Sequence, residues 1–423
     1  MIKKLVLLLL LSGCVETSAD RSTGQGVLRS NSVMTQEFLD LVFMTETGNA
    51  VPELLKYNKE IRVSLGPSLS QYRQDLEKIL QTIRRGSGVD IRLANGGAQI
   101  HIQQIPARVM NRNFPTAACV VASGVGSWAA FQRGESRRWS SQRQLGKSTI
   151  FIPDDAPPYI VRACLNEEIG QALGPVNDLY YVADTIFNDD NVHSRLTDFD
   201  LLMLRVLYDA RLPAGIGRAA AGPIVERILQ DINPDGRRAG SPHIPNPQWQ
   251  QHIVTAITGS NSRSTRATAA QQAVTAARRS GDHRLAYSLL IYGRLKLGGA
   301  PHLAGPAFEE SYDLLMDQLG PNNLRTALAA MHVAAMALAT KQYQKTLDIT
   351  TVALATARRH EDAVLVAGIQ SIRALAFGAL GLDDDAARAR LDSLAQARYA
   401  FGADAERIAL AQEQIAGLIP ARQ

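Results

Sequence analysis

The strongest constraint on how this chain can fold is a change of hydrophobic period around residues 233–247, NPDGRRAGSPHIPNP. Four prolines and two glycines within those residues remove backbone donors and favour turns, so neither a helix nor a central strand should run through them. Before the break, IRVSL (61–65), VDIRLA (89–94) and AQIHIQQI (98–105) alternate apolar and polar residues as half-buried strands do. STIFI (148–152) is a further strand candidate. Between the first two strands Tyr72, Leu76, Ile79, Leu80 and Ile83 recur in steps of three and four, which predicts one face of a helix. After the break the strand pattern disappears and almost everything reads as alanine-rich helix. The expectation is an α+β domain followed by an all-α domain.

Two echoes expose a repeat in the second part. ARRSGD (277–282) returns as ARRHED (357–362), 80 residues on, and LG at 319–320 returns as FG at 401–402, 82 residues on. Both spacings equal two units of roughly 40 residues, the length of a helical hairpin that completes its core only by stacking on its neighbours. The unit at 319–354 has Gly320, Ala327, Leu328, Tyr343 and Ala353 at its small and aromatic packing positions. In this it resembles a slightly long tetratricopeptide repeat, and the resemblance implies a surface that takes a protein partner.

The N-terminus, MIKKLVLLLLLSGC, joins two lysines to an apolar run from Leu5 to Leu11 and small residues before Cys14. The run is too short for a permanent membrane span and fits a cleavable signal. LSGC resembles the bacterial lipobox, which implies cleavage before Cys14 and acylation of that cysteine, since several acyl chains give stable anchoring. Val15 is not the aspartate associated with inner-membrane retention, so the implied address is the outer membrane, facing the periplasm. The formal charge of +5 falls to +3 without Lys3 and Lys4, too small an excess to argue for nucleic acid. The expected divisions are a signal peptide (1–13), a polar tether (14–34), the α+β domain (35–215), a linker (216–262) and the helical repeats (263–423).

The chemistry, if any, centres on LNEEIGQALGPVND (165–178). The stretch resembles the helix-and-turn motif of zinc peptidases, H-E-x-x-H-x-x-G-x-x-H. Glu168 stands at the general base and Gly174 at the motif turn, but Glu167, Gln171 and Asn177 replace the three metal-binding histidines. The order strand, helix, strands and motif helix is that of a zincin-type domain. RLTDFDLLMLRVLY (195–208) resembles the segment that follows the metal site in matrixin-like enzymes, where Met203 is either a floor residue or plain core. Together with IFNDD (186–190) and the lipobox, these motifs resemble a bacterial envelope lipoprotein family catalogued as a domain of unknown function (number 2927).

One carboxylate and two neutral amides form a poor zinc site, so no cofactor is expected. The cysteines remaining after Cys14 are Cys119 and Cys164, either a disulfide in an oxidising periplasm or two buried thiols. Glu167, Glu168, Asp178, Asp189 and Asp190 form an acidic neighbourhood that reads as acid–base or calcium-binding chemistry, or as buried anchors and a turn. His193 is the one histidine near the motif in sequence. Residues 132–147 hold five basic side chains and one acid, a solvated loop or a surface that meets membrane phosphates. The leading expectation is a non-catalytic, lipid-anchored adaptor that recruits an unknown envelope protein through its repeats. The alternatives are a hydrolase using Glu168 as general base, with zinc only in that case, and a cell-wall binding protein.

Overall fold

The computed structural model describes residues 29–45, 48–115, 117–188, 192–238, 246–257, 261–279 and 284–402. The first part contains α1 (Asn31–Phe43), β1 (Ile61–Leu65), α2 (Arg73–Ser87), β2 (Ile91–Leu93) and β3 (Ile100–Ile105). It continues with α3 (Ala107–Asn113), β4 (Val120–Ser123), α4 (Trp128–Gln132), β5 (Ser148–Pro153), α5 (Pro158–Ala172), α6 (Asp198–Leu207) and α7 (Arg218–Ile232). The strands form one mixed sheet in the order β2-β1-β3-β5-β4, all parallel except the edge pair β4–β5.

Alternation puts Ile61, Val63, Ile100, Ile102, Ile150 and Ile152 into the core with Leu76 and Leu80 of α2 and Leu165 and Ile169 of α5. Each such side chain contributes about 1.5–3 kcal/mol when fully buried. The helix α2 ends at Gly88, whose φ of 77° is the left-handed conformation that closes a helix at little cost to glycine.

The stretch expected as a linker, 216–262, instead holds α7 and α8 (Pro247–Ile257). Ala221, Val225, Ile228 and Leu229 of α7 belong to the core of the first part. Asn31 fastens α7 to α1, its Nδ2 donating to the carbonyls of Leu229 at 3.3 Å and Asn233 at 3.1 Å. Likewise the stretch expected as a tether, 14–34, gives its end to α1, which Ser30 caps by accepting from the Val33 amide at 3.3 Å.

The second part is helical throughout its described residues: α8, α9 (Arg263–Arg278), α10 (Arg284–Lys296), α11 (Pro301–Leu319), α12 (Leu324–Ala339), α13 (Tyr343–Arg359), α14 (Ala363–Ala379) and α15 (Asp383–Phe401). They pair in sequence as hairpins, and α12 also packs on α14, so successive hairpins stack. The sequence echoes mark equivalent places in alternate hairpins. Gly320 closes α11 with φ 76° and Gly402 closes α15 with φ 93°.

Candidate functional site

The helix α5 starts with Pro158 at its first turn, where the missing N–H costs nothing. Val161, Cys164, Leu165, Glu168, Ile169 and Ala172 form its buried side. Glu167 and Gln171, one turn apart, are half-buried, whereas Glu168 is 5 % exposed. After α5 the chain turns at Gly174, where φ is +130° and a Cβ would lie 2.5 Å from the Leu55 carbonyl oxygen and 3.0 Å from Leu207 Cδ2. Only glycine fits both the conformation and the approach.

The turn is then pinned to the end of α1. The Val176 amide donates to the Leu41 carbonyl at 3.0 Å, and Asn177 Nδ2 donates to the Asp40 carbonyl at 3.0 Å. The Tyr208 hydroxyl donates to the Leu173 carbonyl at 2.9 Å, tying the helix end to the segment after α6. Asn177, at the third metal position of the motif, is buried and serves as an anchor between two elements. Met203 is buried in α6 as part of the core. His193 Nε2 lies 3.1 Å from the Ala183 carbonyl oxygen, to which it donates. Asp189, Asp190 and the lipidation residue Cys14 lie outside the described residues.

Cys119 and Cys164 form a disulfide that joins the segment before β4 to the middle of α5. Their Cα atoms are 6.0 Å apart.

At the motif positions Gln171 and Asn177 offer neutral amide oxygens, weak donors to zinc, and Asn177 Nδ2 donates to the α1 backbone. Among the described residues, no three His, Cys, Asp or Glu side chains come together as a metal-holding group.

A charged cluster assembled from distant segments lies beside this turn. Arg29 Nε donates to Glu37 Oε2 at 2.9 Å and its Nη1 to Asp184 Oδ1 at 2.6 Å, while its guanidinium sits 4.8 Å above the Phe199 ring. Burial pushes Glu37 up to about 7, against the pull of Arg29. Burial also acts upward on Asp184, but the charge and hydrogen bond of Arg29 outweigh it and hold that carboxyl below its ordinary value. Asp184 is therefore the carboxylate that keeps its charge on Arg29.

Next to it, Asp40 accepts from the Tyr181 hydroxyl at 2.8 Å and from Arg218 Nη2 at 2.6 Å. Asp200 is fully buried and accepts from the amides of Ile186 at 3.1 Å and Thr197 at 2.7 Å and from the hydroxyls of Thr185 and Thr197. Thr197 and Asp200 are a local capping box, but Arg29, Asp40, Tyr181 and Arg218 come from distant segments, and no local periodicity signals their meeting.

The segment that follows the motif turn enters the helical stack. Tyr180 packs with Trp249 of α8 and Tyr287 of α10, and Val192 with Leu324 of α12 and Leu365 of α14. Arg325, at the start of α12, donates from Nε to the Ala183 carbonyl at 3.1 Å and from Nη2 to the Val182 carbonyl at 3.5 Å. Arg195 pairs with Glu361.

The first half of α5 meets the far end of the stack. The Tyr159 hydroxyl reaches Asp362 Oδ1 at 3.4 Å. Arg162 donates to Asp75 Oδ2 and to the Tyr399 hydroxyl, both at 2.9 Å. The motif helix and turn thus lie between the sheet and the repeats.

Residues 31–227 match the model of a family described as Protein of unknown function (DUF2927). No curated protein matches the chain.

Proposed function

We propose, from the premise that the chain belongs to this family through residues 31–227, that it is a non-catalytic adaptor of the bacterial envelope. In this reading Cys14 is lipidated, the chain faces the periplasm from the outer membrane, and a degenerate zinc-peptidase-like domain carries tetratricopeptide-like repeats.

The order of elements from β1 through α2 and the later strands to the motif helix α5 supports the zincin-type reading of the first part. The paired helices α8 to α15 and their matched glycine ends support the repeat reading of the second. The observation that carries the functional reading is Asn177. At the position where a peptidase would place its third metal ligand, the chain spends a buried amide on the α1 backbone. In this reading the motif turn is an anchor of the first part, and the segment that leaves it packs on the repeats.

Because residues 180–183 already occupy one side of the stack, a protein partner is assigned to its outer helices. There Val352, Leu375 and Leu391 stand exposed, the last at 70 %.

The test is peptidase activity on unfolded protein substrates, measured with the intact chain, with a chelator and with Glu168→Gln. The adaptor reading predicts no turnover in any sample. Turnover that both the chelator and the substitution abolish would replace it with the hydrolase reading, which rests on Glu168 alone.

A further inference from the structure

The positive charge of the molecule is gathered on one lobe. Phe114, just after α3, lies 5.4 Å from Phe131 of α4, and Trp128 stacks on Phe131 at 5.1 Å and meets Phe151 of β5 edge-on at 5.1 Å. With Ile105, Met110 and Val125 these rings form a small core of their own, separate from the main one. This core brings α3, β4 and α4 against β5, while Trp139 and Leu145 of the following loop pack on the main core.

Arg108, Arg112, Arg133, Arg137, Arg138, Arg143 and Lys147 stand exposed around it. Residues 107–147 contain one acid, Glu135, an excess of six positive charges where the whole chain has five, and Asp154 lies beside them, accepting from the Ala107 amide at 2.9 Å. Arg133 pairs with Glu135 and Arg143 with Glu53. For the other five cations, no ion pair is seen among the described residues.

Gathering like charges with few acids among them costs self-repulsion, which an anionic partner relieves. The lobe is held firmly: β4 pairs along β5, and the disulfide to Cys164 fixes its base to the motif helix. Trp139, beside Arg137 and Arg138, is half-buried against the main core and holds this segment in place.

We propose that this lobe docks on an anionic lipid surface, its guanidinium groups taking headgroup phosphates. The five cations come from three separate places: α3, residues 137–138 and the last residue before β5. A small free anion would meet one or two of them, whereas an extended anionic surface can reach several. The interaction does not depend on the adaptor reading or on acylation of Cys14, and it orients the domain against the membrane.

The experiment is vesicle flotation with the full chain carrying Cys14→Ser, which removes any acyl anchor. Each cation near an anionic surface strengthens binding about fivefold, so vesicles with about 30 mol % phosphatidylglycerol should bind at least tenfold better than neutral phosphatidylcholine. Raising the ionic strength to about 0.3 M should release the protein. Reversal of three charges together, Arg112→Glu, Arg137→Glu and Arg138→Glu, should cut binding by roughly a hundredfold. These residues are exposed, so the variant's unfolding midpoint should stay at that of the parent. Equal binding to both vesicles, binding that survives the triple reversal, or retention only on peptidoglycan sacculi would overturn the proposal. So would failure of the vesicles to bind while inorganic phosphate alone protects the lobe from proteolysis.

Discussion

The Arg325 guanidinium crosses from the repeat stack to the backbone of the segment after the motif turn, donating to the Ala183 carbonyl at 3.1 Å. Its side chain is almost fully buried and lies 5.0 Å above the Tyr287 ring. The contact joins the two halves through main-chain carbonyls, which accept at this point whatever side chains the segment carries.

Replacing Arg325 with alanine removes a charged donor from the Ala183 and Val182 carbonyls, which keep His193 and Asn188, and opens a void beside Tyr287 of α10. A hydrogen bond from a charged donor contributes about 1.5–3 kcal/mol, so Arg325→Ala should destabilise the chain by about 3 kcal/mol in urea unfolding. Hydrogen exchange should rise at residues 179–188 before it rises in the sheet. An unchanged midpoint with unchanged exchange would show that the contact does not hold the halves together.

Gly174→Ala should be among the most damaging single changes. The added methyl meets the Leu55 carbonyl oxygen at 2.5 Å, and φ of +130° is strained for any residue with a Cβ. Strain at such a position costs about 1–3 kcal/mol and a backbone clash adds to it, so a loss of at least ~3 kcal/mol is expected from thermal unfolding. A variant as stable as the parent would mean that the turn relaxes freely and the packing against Leu55 is loose.

Asp200 makes stability depend on pH. Burial pushes its carboxyl up to about 7 from an ordinary value of 3.8, against the hydrogen bonds that favour the charged form. With the folded value raised, the folded state binds the proton more tightly, so the contribution is complete below the unfolded value and fades as pH rises through about 7. Stability measured by urea unfolding should therefore fall on the order of 3 kcal/mol between about pH 4 and pH 8. Asp200→Asn can offer its Oδ1 to the Ile186 and Thr197 amides and its Nδ2 to the Thr185 hydroxyl, and should reduce this slope to the part that Glu37, also raised to about 7, contributes. A slope unchanged in the variant would assign the effect to another group.

The disulfide closes a loop with a sequence separation of 45 residues. Constraint of the unfolded chain over such a loop stabilises the folded state by about 4 kcal/mol in the chain-entropy account. Cys119→Ser with Cys164→Ser should lower the unfolding midpoint accordingly and loosen β4 and the basic lobe, read as faster proteolysis between residues 124 and 147. Equal midpoints for the parent and the double variant would remove the bridge from the account.

Strand candidates with clean alternation were legible, and β1 occupies the residues that the pattern marks. The short edge strand β4 was not: its four residues, VVAS, show no alternation, and only pairing with β5 makes them a strand. The helix α7 was hidden because Pro223 interrupts it and its apolar residues find their partners on α1, nearly 200 positions away. At the site, the motif's spacing revealed a helix face and a glycine turn. The cluster of Arg29, Glu37 and Asp184 could not be read, since a buried charge is recognised by its partners and these come from distant segments. The docking of the repeats on the motif helix was hidden for the same reason.

The central proposal is that the motif helix and its turn serve as a structural anchor and not as a metal site. Elemental analysis of the purified Cys14→Ser chain tests it most directly. The account predicts less than about a tenth of an equivalent of zinc, because one carboxylate with two amides cannot compete for it. A full equivalent that survives dialysis and is lost in Glu167→Gln would contradict it.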